Sequence, residues 1–392
     1  MSEWKEYKLS DFIEINPKVT LKSGSKHSFV EMKDLSESQK FVLPSQLKDI
    51  SGGARFQNFD TLFARITPCL QNGKICQVKG LTNSIGFGST EFLVFRGKEG
   101  ISNTDFVYYL SRYQVVRTFA EQNMIGTSGR QRVSKDAFEN IELFLPPLPT
   151  QTAIAEILSS LDDKIELNNK INQELEALAQ TLFKQWFIDF EFPNENGEPY
   201  KSSGGEMVES ELGEIPKGWE VVELSILLTV KYGKDHKHLS DGIYPLYGSG
   251  GIMRYVEKPL YQHDSILIPR KGTLSNLFYL EEPFWSVDTM FYTEIHNPIF
   301  GKYLFHCIKA MDIASMNVGS AVPSMTTKVL NELKILNPSD LVIQEFDTAL
   351  SAFHNSINQN KKETEDLTNL RDTLLPKLIS GELELAKTTT LN

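Results

Sequence analysis

Cysteine is scarce in this chain. The 392 residues hold three, Cys69, Cys76 and Cys307, with no Cys-x-x-Cys spacing, which argues against a disulfide framework and against a zinc site. Long apolar runs are missing too, since none approaches the roughly 20 residues needed to span a bilayer. The opening Met1-Ser2-Glu3-Trp4-Lys5-Glu6 lacks the basic and apolar regions of a secretory leader. A reduced, cytoplasmic setting with no membrane role is expected. Catalytic signatures are equally sparse. The chain contains no Gly-x4-Gly-Lys-[Ser/Thr] phosphate loop and no Gly-x-Ser-x-Gly elbow. Asn16, Asn297 and Asn337 each precede Pro, but none opens an Asn-Pro-Pro-aromatic motif. Gly86-Phe87-Gly88 is the nearest approach to a glycine-rich cofactor loop, and it reads as a turn between short strands. Any chemistry is expected to come from partners.

Positive charge is the third deficit. There are 40 Lys and Arg against 51 Asp and Glu, a net charge of -11, whereas phosphate contacts need clustered cations. The distribution changes that impression. Residues 151–217 hold 5 Lys and Arg against 14 Asp and Glu, while residues 1–150 hold 19 against 16. The flanking blocks can therefore present a basic face, and the acidic segment should face a protein partner rather than DNA.

What the chain does have is a repeat. Trp4-Lys5-Glu6-Tyr7-Lys8-Leu9-Ser10 returns as Trp219-Glu220-Val221-Val222-Glu223-Leu224-Ser225 at a shift of 215. Asp60 to Arg65 lies against Asp264 to Arg270, each a short apolar run ending in Arg, and Ile141 to Pro146 matches Leu333 to Pro338 at a shift of 192. The fall from 215 to 192 gives the first block about 23 extra residues, expected as loop insertions between Lys18 and Gly53.

Long helices follow both blocks. Beyond Pro146-Pro147-Leu148-Pro149, the residues Ile154, Leu158, Leu161, Ile165, Ile171, Leu175, Leu178, Leu182 and Trp186 recur at three-and-four spacing, one stripe of a helix roughly 60 Å long. Phe346, Leu350, Phe353, Ile357, Leu367, Leu370, Leu374 and Leu378 repeat the pattern. One compact domain cannot cover such a helix, so the two are expected to pair. Asn168 and Asn360 interrupt the stripes and should set the alignment.

Within each block, short β-like runs punctuated by Gly and Pro predict a curved, mostly antiparallel sheet, with one helix at Asp105–Gln122 and a counterpart at Gly301–Met311. The fold class is α+β: two mixed blocks in pseudo-twofold repeat, separated by two long antiparallel helices forming a coiled coil. The domains run 1–150 and 218–340, the helices 151–190 and 341–385, with a linker at 191–217 and a tail at 386–392.

Candidate nucleic-acid contacts follow from residue chemistry. In Gly126-Thr127-Ser128-Gly129-Arg130-Gln131-Arg132 the glycines let backbone approach a groove wall, Arg130 and Arg132 fit guanine, and Gln131 fits adenine. An ordinary solvated turn is the competing reading. The matching loop, Gly319-Ser320-Ala321-Val322-Pro323-Ser324, offers Ser320 and Ser324 but no Arg, so the blocks would not read the same bases. Arg65 with Lys74, and Arg270 with Lys271, stand at equivalent strand-to-loop positions where phosphates could lie, or where a surface ion pair would serve as well. Lys231, Lys234 and His236, close to Tyr232, could follow a phosphate backbone.

The layout resembles the specificity subunit of type I restriction-modification systems. The resemblance rests on the join Trp186-Phe187-Ile188-Asp189-Phe190-Glu191-Phe192-Pro193, on Leu212-Gly213-Glu214-Ile215-Pro216-Lys217-Gly218-Trp219, and on the closing Leu374-Leu375-Pro376-Lys377-Leu378-Ile379-Ser380-Gly381. It implies two target-recognition domains, each gripping one half of a split, asymmetric site on double-stranded DNA. It also implies two partner methyltransferase subunits that use S-adenosylmethionine, and motor-nuclease subunits that use ATP and Mg. The chain itself would hold no cofactor and catalyse nothing. A DNA-modifying enzyme with a degenerate site and a coiled-coil adaptor without DNA contact are the competing readings.

Overall fold

The computed structural model describes residues 4–127, 129–271, 274–311 and 324–385. Two compact units divide the chain, Met1–Ile171 with Gln359–Asn392, and Asn172–Asn358. Each unit takes one block and half of each long helix.

Unit 1 holds a five-stranded sheet ordered Ile13–Ile15, Phe92–Gly97, Thr61–Ala64, Ile75–Val78, Phe41–Val42, and a four-stranded sheet ordered Gln46–Lys48, His27–Val30, Ile85–Gly88, Ala54–Gln57. Most pairs are antiparallel; His27–Val30 with Ile85–Gly88 and Phe41–Val42 with Ile75–Val78 are parallel. Unit 2 repeats the plan. Leu228–Tyr232, Met290–Ile295, Ser265–Pro269 and Phe278–Leu280 form one sheet, and Gly251–Val256, Asp241–Gly248 and Trp285–Ser286 the other. The shift between equivalent strands is 215 for Lys5–Lys8 and Glu220–Glu223, 205 for Thr61–Ala64 and Ser265–Pro269 by their pairing with the next strand, 198 for Phe92–Gly97 and Met290–Ile295, and 192 for Glu142–Leu145 and Lys334–Asn337. The extra residues therefore enter in three places and not only between Lys18 and Gly53, since the shift falls again after Thr61–Ala64 and after Phe92–Gly97. The stretch from Lys18 to Gly53, expected as loop, contains the strands His27–Val30 and Gln46–Lys48.

Two further expectations change. Gly86 and Gly88 lie in a buried strand, not a turn. A Cβ at Gly86 would stand 2.7 Å from the Ser28 carbonyl oxygen, and one at Gly88 2.5 Å from that of Val30, so these glycines permit close strand approach. The helix predicted over Asp105–Gln122 is two, Thr104–Arg112 and Gln114–Gln122, broken where Tyr113 is extended. The break redirects the second piece so that Val116 and Ala120 reach the same core as Phe106 and Leu110. In unit 2 the counterpart helix is Gly301–Ala310.

The long helices are Leu148–Phe187 and Asp340–Ser380. In unit 1 they run antiparallel, because Asp162 meets Arg371 while Asn168 meets Glu363; Ile154, Ala155 and Leu158 share a core with Leu375, Leu378 and Ile379. In unit 2, Phe183, Trp186 and Phe187 pack on Phe346. The seam differs from the apolar stripe. Asn168 and Asn172 are buried in it, as is Arg371, while Ile171, Leu178 and Leu370 are exposed. Asn168 donates to Glu363 at 2.8 Å, so it does link the helices, whereas Asn360 is only half-buried.

The linker is ordered by aromatics. Phe192 stacks between Tyr200 and Trp219 at 4.6 and 5.0 Å, and Met207–Ser210 pairs with Gly213–Pro216 as a hairpin. The opening tryptophans play matching parts. Trp219 lies 5.8 Å from Phe187 at the end of the first helix. Trp4 covers Gly381, just past the end of the second, whose φ of +76° favours glycine.

His306 gives unit 2 a pH dependence. Its ring is buried beside Phe183, Phe305 and Phe346, and burial, followed by His354 and Lys309, lowers its pKa to about 3. Below the ordinary value near 6.5 the unfolded chain takes up a proton that the folded chain refuses. Stability of unit 2 should therefore fall on acidification by up to about 1.4 kcal/mol per pH unit, until the folded value is reached. Denaturant midpoints at pH 7 and pH 5 check this, and His306→Phe should flatten the difference.

Candidate nucleic-acid interface

In unit 1, Ile13–Ile15 and Thr61–Ala64 both pair antiparallel with Phe92–Gly97. The two outer strands therefore point the same way, and their C-terminal ends share one rim of the sheet with the turn before Phe92. Leu228–Tyr232 and Ser265–Pro269 flank Met290–Ile295 identically in unit 2. The rims carry most of the cations singled out from the sequence.

A backbone clamp is common to both. Arg65 donates its N–H to the Glu91 carbonyl at 3.0 Å and its carbonyl accepts from Val133 at 3.0 Å; Arg270 donates to Thr289 and accepts from Met325, both at 2.9 Å. Ile66 bridges to Arg132 as Lys271 bridges to Ser324. Arg132 and Ser324 are thus equivalent residues, separated by the same 192 as the following helices.

The side chains on these matched backbones differ. In unit 1, Glu91 holds Arg132 with both carboxylate oxygens, at 2.9 Å from Nε and 2.7 Å from Nη2. That hydrogen bond keeps the guanidinium above its ordinary pKa. Gln131 exchanges hydrogen bonds with Thr67. Thr127 and Arg130 are exposed on a turn where Gly126 and Gly129 have φ of +134° and +77°; Arg130 donates its backbone N–H to the Thr127 carbonyl at 3.0 Å. The Arg65 Nε is buried and has no hydrogen-bond partner among the described residues. In unit 2, Arg270 lies over the Tyr232 ring at 5.3 Å and donates to the Asp288 carbonyl. Lys234 and Lys271 are exposed.

Other candidates have structural partners. Lys74 is half-buried and donates to the Met32 carbonyl at 3.3 Å. Lys231 pairs with Glu294 at 3.4 Å. His236 buries an unpartnered Nδ1, and its carbonyl accepts from Arg254. Ser128 and Ser320 lie outside the described residues.

Sequence reasoning missed Lys18, Lys22 and Lys26. They are exposed on the loop that leaves the unit 1 rim after Ile13–Ile15, the counterpart of the segment after Leu228–Tyr232 that carries Lys234. No salt bridge engages them among the described residues. The signal was available, because the 215-residue shift persists through the preceding strands.

Fold and rims together define a class: a doubled α+β protein for DNA recognition. The chain belongs to the type I restriction modification DNA specificity family, which matches residues 1–177 and 216–369. It is 25% identical to the HindI specificity subunit of Haemophilus influenzae, covering 98% of this chain and 100% of that one. It is 27% identical to the MjaIX specificity subunit of Methanocaldococcus jannaschii, covering 74% of this chain and 71% of that one. The crystal structure of the S subunit from Mycoplasma genitalium superposes with a TM-score of 0.54 over 98% of this chain and 97% of that one, at 18% identity, which shows the fold. Among the described residues, no helix is long and apolar enough to cross a membrane.

Proposed function

We propose that this chain selects a bipartite, asymmetric DNA site, one half read by each rim, and scaffolds the methyltransferase and motor-nuclease subunits of a type I system in the cytoplasm. The observation that carries it is the shared clamp holding unlike side chains: Arg132 and Ser324 occupy one backbone position in the two units. Two copies of one framework with different contact residues suit two half-sites of different sequence. Residues 1–150 and 218–340 are the recognition domains, joined by the helix Leu148–Phe187 and the linker after it, with the helix Asp340–Ser380 following the second. S-adenosylmethionine, ATP and Mg belong to the partners, with two methyltransferase subunits per chain. The exposed Leu167, Ile171 and Leu178 on the first long helix, beside exposed Glu174 and Glu176, support a protein partner there.

Sequencing of methylated adenines in a host carrying the chain with its partner subunits tests this. Two unlike half-sites with centres about one helical turn apart are expected; a single continuous motif, or identical halves, overturns the proposal.

The loop after Ile13–Ile15 should supply sequence-independent affinity. Replacing Lys18, Lys22 and Lys26 together by Gln should weaken cognate and unrelated duplexes alike. The slope of log affinity against log salt should shrink by about 2–3, close to one counterion per lost phosphate contact. An unchanged slope in a salt titration of the complex would remove this loop from the interface.

A further inference from the structure

The hairpin of unit 2, Asp241–Gly248 with Gly251–Val256, is not absorbed by the contacts above. Its first strand is exposed from Asp241 to Ile243 and buried from Pro245 to Gly248, with Leu246, Tyr247 and Val256 packed beside Trp285 in one core. Its second strand is the edge of its sheet and turns Ile252, 48% exposed, and Met253, 58% exposed, into solvent near the turn. An edge strand that holds an apolar pair in solvent at its rim end needs a reason.

The tip stands at the rim of unit 2. Asp241–Gly248 runs parallel to Trp285–Ser286, and the Tyr247 carbonyl accepts from Val287, just before Met290–Ile295. Lys234 donates its backbone N–H to the Ser286 carbonyl at 2.8 Å, and Asn276 donates to the Ser249 carbonyl at 2.9 Å. The hairpin end is thus pinned from both sides beside exposed Lys234 and Lys271. Gly250 and Gly251 have open space around them, and Gly251 has φ of +109°, so the turn is slim.

We infer that this hairpin enters the major groove, and that Ile252 and Met253 are specificity-determining residues of unit 2, packing against a thymine 5-methyl. The inference rests on the reading that the unit 2 rim faces DNA. Charge complementarity selects the occupant, since the exposed apolar pair stands on a sheet edge beside Lys234 and Lys271, which suit phosphates, and a major groove is wide enough to admit a β-strand edge. The 5-methyl group is the apolar mark that the groove presents. Unit 2 would then read by shape and apolar contact where unit 1 offers Arg130.

The test uses the complete methyltransferase complex containing Ile252→Ala, Met253→Ala, or Met253→Leu as a conservative control, with methylated-adenine sequencing and binding to duplexes that differ at one base pair. Each alanine variant should make one position in one half-site degenerate, with discrimination there falling about tenfold. The other half-site, the salt slope and the Met253→Leu motif should be unchanged, which also reports that the variants fold. An unchanged motif in both alanine variants overturns the inference. So does loss of subunit assembly with the motif intact, which would make the hairpin a protein dock. A wild-type complex without sequence preference overturns the underlying reading and the inference with it.

Discussion

Arg371→Ala should destabilise unit 1 by about 3–5 kcal/mol, the usual cost of leaving a buried ion pair half empty. Arg371 and Asp162 have side chains only 1% and 2% exposed, with 2.6 Å between Nη1 and Oδ1. Nη1 also donates to the Ser38 carbonyl at 3.0 Å, and the Tyr109 hydroxyl donates to the second Asp162 oxygen at 2.6 Å. One guanidinium therefore ties the second long helix, the first long helix and the recognition block of unit 1 together. Burial opposes the charge on Arg371, yet Asp162 beside it holds its pKa above the ordinary value. Burial and then Asp162 push the Tyr109 phenol up. Asp162→Ala should cost a similar amount, and each single change should lower the melting temperature by roughly 10 °C. The double change Asp162→Leu with Arg371→Met should recover most of the loss, because it strands no charge. Single-variant costs below about 1 kcal/mol in denaturant titrations would place this pair with the weak surface bridges instead.

Arg130 and Arg132 should separate sharply in DNA binding although they are two residues apart. Arg130 is exposed on a glycine-supported turn. Its replacement by Ala should relax one base position of the unit 1 half-site by about 1–3 kcal/mol, a factor of roughly 10–100. Arg132 is occupied by Glu91. Removing it frees a carboxylate on the rim proposed to face phosphates, so Arg132→Ala should weaken all sequences together. Adding Glu91→Gln to Arg132→Ala should restore the electrostatic part of that loss. Competition binding with base-substituted duplexes distinguishes the two roles; selective loss at one base for Arg132→Ala would exchange them.

The doubled plan was legible because it is written in local pattern. Tryptophan openings, arginine-ended strands and two three-and-four apolar stripes recur at measurable shifts, and periodicity reports a helix face whatever packs on it. The seam itself was legible only at Asn168, which was expected to align the helices and does donate across them. Asn172 and Arg371 are also buried while Ile171, Leu178 and Leu370 are exposed, since a polar side chain enters a core only when other groups satisfy it, and sequence spacing carries no record of Asp162 or Ser38 beside Arg371 across the gap.

The same division holds at the rims. Residue type marked Arg65, Arg130, Arg132 and Arg270 as candidates, but a cation that reads DNA and one held by a neighbour look alike in a string. Lys74 rests on the Met32 carbonyl and Lys231 on Glu294, partners 42 and 63 residues away. The sequence by itself determined the repeat and the paired helices, because those depend on residue order and period. Only the tertiary structure decided which cations are free, which residues share a rim and where the helix seam runs. Those depend on hydrogen-bond partners brought together by strand pairing over long chain separations.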